Sequence, residues 1–182
     1  DKFDGYESFK NISNTLAGSL PAGWSTQNVH LDDTAVTDAR TSLLAAMKDV
    51  DVVFHVAAIS QYWRNKPDLI YKVNIDGARN VFDAAQRSNV KRVVHTSTAA
   101  AIGIVKGRPA NENDPYNLRP KRFAYGHSKW LAEEMVRERV KSGQDITLVN
   151  PTVIFGRRDI NWLSGSILRE AAATIACWFA NR

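Results

Sequence analysis

Tyr125 and Lys129 stand four residues apart in RFAYGHSKWLAEE, residues 122–134, and the hydroxyl cluster Thr96, Ser97 and Thr98 closes an apolar run upstream of them. In an α-helix, residues four apart share a face, so a phenol and an ammonium at this spacing can address one ligand. A nearby positive charge favours phenolate and would draw a tyrosine pKa down from about 10 toward working pH. A hydroxyl from Thr98 could then hold the oxygen that gains or loses the proton. The chemistry written in these residue types is proton transfer to or from a bound oxygen.

By itself the Tyr-x-x-x-Lys spacing is weak evidence, and a plain surface helix would produce it too. Its context carries more weight. Two apolar runs closed by polar or small residues, Val52 to Ala58 and Arg92 to Thr98, come before the helix that bears the pair. After about residue 27 the chain alternates strand-like and helix-like segments, which predicts a parallel sheet with crossover helices. Strands are expected at 27–31, 51–56, 93–96 and 146–149, and helices around 42–48, 67–86, 122–141 and 163–179. The 51–56 strand reads as continuously apolar, as expected where both faces of a sheet are covered. Pro67 suits the first turn of its helix. The stretch 103–120, rich in Gly, Pro, Asn and Asp, reads as a long loop over a site.

The series DVVFHVAA at 51–58, YKVNIDGARNV at 71–81, KRVVHTSTAAAIG at 91–103, YGHSK at 125–129 and VNPTVIFG at 149–156 resembles the extended short-chain dehydrogenase/reductases. Within them the wording is closest to the NAD-dependent epimerase/dehydratase group, on its dihydroflavonol-reductase-like and 3β-hydroxysteroid-dehydrogenase-like side. The resemblance implies an α/β, doubly wound, Rossmann-like parallel sheet that binds NAD or NADP. It makes Tyr125 the general acid/base. Lys129 would hold the nicotinamide ribose while depressing the tyrosine pKa, and Thr98 rather than Ser97 would be the catalytic hydroxyl. Val56, Ala57, Ala58 and Thr96 would lie against the cofactor, Asn74 would support that side of the site, and Pro151 and Val153 would flank the nicotinamide. His55 and His127 fall at positions of the motifs to which the family assigns no chemistry.

Two departures from the family pattern stand out. Gly156-Arg157 takes the place of the family's usual Gly-Pro, and no Gly-x-x-Gly-x-x-Gly turn occurs anywhere in the chain. Such a turn brings backbone N–H groups up to a pyrophosphate at a helix N-terminus. The expectation is therefore a single partial domain over 1–182 that lacks the family's first strand–turn–helix unit, with 157–182 opening the substrate-binding region. A fragment of a longer protein is the simplest account, and a shortened relative that holds no dinucleotide is its rival.

The function implied is an NAD(P)-dependent oxidoreductase acting on a small carbonyl or alcohol substrate. A nucleotide-sugar epimerase or dehydratase would use the same residues, and a non-catalytic scaffold is the reading from a different class. The resemblance also implies a homodimer through the helices at 67–86 and 122–141, supported if either presents an exposed apolar face.

Composition narrows the remaining classes. The 182 residues, 44% hydrophobic and 24% charged, suffice for one globular domain with a real core. The net charge of +5 and pI near 9.4 come from scattered pairs such as Lys91-Arg92 and Lys121-Arg122, with no basic stripe of the kind that binds nucleic acid. No apolar run is long enough to span a membrane, and Asp1, Asp4 and Glu7 are unlike the start of a signal peptide. The single cysteine, Cys177, excludes an internal disulfide and reads as a core residue, which suits a cytoplasmic setting. No His, Cys, Asp or Glu cluster has metal-ligand spacing.

Overall fold

The structure, a computed structural model, describes residues 36–60 and 66–154. The expected strand at 27–31, the helix at 163–179, the 157–182 region and Cys177 lie outside those residues.

Three parallel strands, β1 (Val52–His55), β2 (Arg92–Thr96) and β3 (Ile146–Val149), form a sheet in the order β1-β2-β3. Val53 pairs with Val93, and Val93 in turn with Ile146. The helices are α1 (Val36–Ala46), α2 (Pro67–Tyr71), α3 (Gly77–Arg87) and α4 (Ala124–Lys141). α1 includes most of the 42–48 segment expected to be helical and extends upstream of it to Val36. Between α2 and α3 the backbone stays right-handed helical through Lys72–Asp76 but widens into a π-turn, so 67–87 is one rod with a bulge in its middle. Each of the three helices that lead into a strand, α1, α3 and α4, is followed by a residue of positive φ: Asp49 (58°), Asn89 (54°) and Gly143 (96°). Asp, Asn and Gly tolerate this left-handed conformation, which turns the chain sharply out of a helix.

The described strands are added in one direction, and right-handed crossovers then put both connecting helices on the same face of the sheet. That face carries the core of Leu43, Met47, Ala78, Val81, Phe82, Ala84, Ala85, Val93, Ala132, Val136 and Ile146. On the other face Val52, Phe54 and Val149 are exposed, so β1 alternates instead of being covered on both sides. Double winding needs a reversal of strand order, and none falls within the described strands.

The predicted loop does run from Ile102 to Arg119 without regular structure. Its contacts fall along α4, however, where Tyr116 meets His127 and Trp130 and the Glu112 carbonyl accepts from Arg137. It flanks the helix.

Candidate active site

The residues singled out by sequence gather at the carboxyl ends of the three strands, the place where open α/β sheets hold their ligands. Val56, Ala57 and Ala58 leave β1, Thr96 ends β2 with Thr98 just beyond it, and Pro151 and Val153 follow β3. Pairing continues past the assigned strands: Ser97 N–H donates to the Val149 carbonyl at 2.8 Å and Ala99 N–H to the Pro151 carbonyl at 3.0 Å. The segment bearing Thr98 is thereby fixed as firmly as a strand.

Thr98 caps the short 3₁₀ turn Ala99–Ala101, its hydroxyl accepting from Ala100 N–H at 3.2 Å, and the same side chain acts on the Tyr125 phenol, drawing its pKa down against the effect of burial. α4 reaches this turn closely because Gly126 has no side chain. A Cβ there would stand 2.6 Å from the Ala100 carbonyl oxygen and 2.7 Å from the Phe123 ring. Tyr125 is thus delivered to Thr98 by a helix whose first turn is pressed against the strand end. Ser97, the neighbouring hydroxyl, faces elsewhere and donates to the Glu133 carboxylate.

Lys129 is 2% exposed. Its Nζ donates to the Thr96 carbonyl at 2.7 Å and meets His95 Nε2 at 3.4 Å. Burial pulls the ammonium down from 10.5 to about 8, against the charge of Glu133, which pushes it up. The expectation that Lys129 would depress the Tyr125 pKa is corrected here. Burial raises the phenol, and only the Thr98 hydroxyl works the other way. Residues four apart share a helix face, but the long lysine side chain takes its charge to the β2 backbone instead of to the phenol. Burial, reinforced by the Lys129 charge, likewise drives His55 down to about 4 and lowers His95 far below the usual imidazole range.

Asn74 owes its position to the π-turn, and it binds as a clamp. Its Oδ1 accepts from Ile59 N–H at 2.8 Å, and its Nδ2 donates to the Ile59 carbonyl at 3.1 Å and to Ser128 Oγ at 3.0 Å. Ser128 Oγ donates onward to the Tyr125 carbonyl at 2.7 Å. One buried amide thus ties the segment after β1 to the first turn of α4. Asn74 is legible in the sequence, whereas Ser128, which bonds it, and Glu133 and Asn150, which hold the Ser97–Thr98 segment, are not singled out there. The signal for Glu133 was available, since 125, 129 and 133 form one stripe of a helix.

These groups fit the nicotinamide-ribose half of a dinucleotide. An ammonium has three N–H donors, and Thr96 and His95 occupy two, leaving one for a ribose hydroxyl. Ala57 and Ala58 are small enough for a flat ring to approach. Among the described residues no group of three or more His, Cys, Asp or Glu could hold a metal, and no helix is long and apolar enough to cross a membrane.

The family model for the NAD dependent epimerase/dehydratase family matches residues 11–176. A putative dihydroflavonol 4-reductase of Synechocystis is 36% identical over 116 residues, which are 63% of this chain and 34% of that protein. An Escherichia coli O157:H7 N-acetyl-α-D-glucosaminyl-diphospho-ditrans,octacis-undecaprenol 4-epimerase is 35% identical over 133 residues, 69% of this chain and 38% of that one. Among solved structures, an Agrobacterium tumefaciens short-chain dehydrogenase/reductase superfamily protein with bound NAD superposes with a TM-score of 0.54 at 27% identity, covering 60% of this chain and 34% of that one. The chain spans little more than a third of the length of these relatives. With the matched motifs seated at the strand ends as described, the chain belongs to the NAD-dependent epimerase/dehydratase family.

Proposed function

We propose that the site serves an NAD(P)-dependent oxidoreductase, with Tyr125 as the proton donor to a carbonyl oxygen of a small substrate. The observation that carries this reading is the first turn of α4, which bears Tyr125, pressed through Gly126 against the turn that Thr98 caps, with the Lys129 ammonium one turn further along bonded to the Thr96 carbonyl. A bound nicotinamide supplies the hydride. Everything else is done by side chains of this chain. Thr98 orients the substrate oxygen toward Tyr125. Burial keeps the phenol protonated at neutral pH, which suits it to give a proton as a carbonyl becomes an alcohol. Lys129 keeps one donor for a ribose hydroxyl, and Asn74 fixes the Val56–Ile59 segment against which the cofactor would lie.

Titration of the 182-residue chain with NADH and with NADPH, followed by nicotinamide fluorescence, tests the reading. Saturable binding that is lost in Lys129→Ala is the expected result, and no binding at millimolar cofactor overturns it. The titration also says which of the two cofactors is preferred.

The 4-epimerase among the relatives favours a second reading, nucleotide-sugar epimerisation, in which the same tyrosine first removes and then returns a proton. Release of oxidised substrate separates the two, since an epimerase returns its hydride before release.

A homodimer through helices 67–86 and 122–141 belongs to the proposal too. Of the exposed large hydrophobics among the described residues only Val140 lies on either helix, so a broad apolar face is not what supports it. The support is a partly buried aromatic group where the two rods meet: Tyr71 hydrogen-bonded to His127 at 2.8 Å, with Trp130 stacked on His127 and on Tyr116. Light scattering checks it.

A further inference from the structure

Glu133 lies one turn beyond Lys129 on α4 and is 3% exposed. Its Oε1 accepts from Ser97 Oγ and from Asn150 Nδ2, the latter at 2.6 Å, and its Oε2 faces Arg137 Nη2 at 3.5 Å. Asn150 Nδ2 also donates to the Thr98 carbonyl at 3.2 Å. One carboxylate therefore joins α4, the end of β2 and the residue after β3, and through Asn150 it reaches the backbone of Thr98.

We propose that Glu133 is a positioning residue that fixes Thr98 through Asn150 and keeps its negative charge beside Lys129 so that the ammonium persists in a buried site. The inference rests on the reading of Tyr125, Thr98 and Lys129 given above.

The simpler account is a structural staple, and chemistry separates the two. A staple needs only an acceptor at Oε1, which the amide of glutamine supplies equally well. A neutral amide cannot offset the desolvation of an ammonium. The charge matters only if it acts on a neighbour. The titratable and charged groups around the pair are His95 from β2, His55 from β1, and Arg137 on α4. Both imidazoles are neutral at pH 7 and Arg137 is positive, so Glu133 is the anion among these groups, and its charge acts on Lys129.

The test uses the 182-residue chain with isotope-labelled lysine and threonine, following the Lys129 side-chain resonance (assigned with Lys129→Met) through a pH titration by NMR. Glu133→Gln should lower the Lys129 midpoint by about one pH unit while leaving the Thr98 resonances in place. Asn150→Ala should move the Thr98 resonances and leave the Lys129 midpoint unchanged. An unshifted Lys129 midpoint in Glu133→Gln overturns the charge role, and unmoved Thr98 resonances in Asn150→Ala overturn the positional one. If Glu133→Gln does not fold by circular dichroism, Glu133→Asp tests the charge role in its place: the retained carboxylate should keep the Lys129 midpoint where it is in the native chain, and a fall of about one pH unit overturns that role. No cofactor enters this test, so a shifted lysine in a chain that binds no NADH would uphold the role of Glu133 and overturn the proposed function separately.

Discussion

The two halves of the helical rod 67–87 meet the protein in different ways. The second half, α3, presents Ala78, Val81, Phe82, Ala84 and Ala85 to the core and makes contact through close apolar packing. In the first half the π-turn displaces Asn74 to hold Ile59 and Ser128 by three hydrogen bonds. α4 is divided in the same way. Its first turns carry Tyr125, Ser128, Lys129 and Glu133 to the strand ends, and Ala132 and Val136 continue into the core. Both helices thus have a core end and a site end. The core end gains from burial and tolerates imprecision in angle, whereas a buried polar group at the site end is stabilising only when its partners are all in place.

The contrast predicts opposite responses to substitution. Phe82→Ala at the core end should cost about 3–5 kcal/mol of unfolding free energy, read by urea denaturation, and it should weaken every activity only through loss of folded chain. Asn74→Ala at the site end should cost less, about 1–3 kcal/mol. It should also speed hydrogen exchange selectively at the Ile59 amide, and an equal loss of protection across α3 would erase the distinction between the two halves.

Acid sharpens the comparison further. His55 and His95 sit where the two ends meet, ring centroids 4.9 Å apart, and both are held neutral by burial. A folded-state pKa below the ordinary 6.5 means that the unfolded chain binds protons first as pH falls. Their stabilising contribution is complete above about 6.5; that of His55 drains away as pH drops through about 4, and that of His95 goes on falling below it. His55→Phe should flatten that decline in urea midpoints between pH 7 and pH 4.5. At the small end of the scale, Arg92→Ala removes a bidentate pair with Asp145 that lies in solvent, and its unfolding midpoint should be unchanged within error.

The core end was largely legible in the sequence. Alternating apolar runs and helical spacing place β2, β3, α4 and the 67–87 rod within a few residues of their observed bounds. Hydrophobic continuity along β1 does not say what covers each face, and among the described residues Val52 and Phe54 are exposed. The site end was legible in its residues and illegible in its geometry. Tyr125, Lys129, Thr98 and Asn74 could be picked from motif wording. A π-turn has no spacing signature, and helical period alone cannot say that a lysine will turn to the Thr96 carbonyl in preference to a phenol four residues before it. Ser128, Glu133 and Asn150 were hidden for the same reason, since their importance lies in partners brought from other strands.

The central claim is that Tyr125 donates the proton. It is tested most directly by a single-turnover experiment in which the chain, loaded with NADH or NADPH, is mixed with a panel of small aldehydes and ketones and followed at the nicotinamide absorbance. The account predicts cofactor oxidation in the native chain and a fall of at least about a hundredfold in Tyr125→Phe, with cofactor binding retained. Oxidation at an undiminished rate in Tyr125→Phe would contradict it.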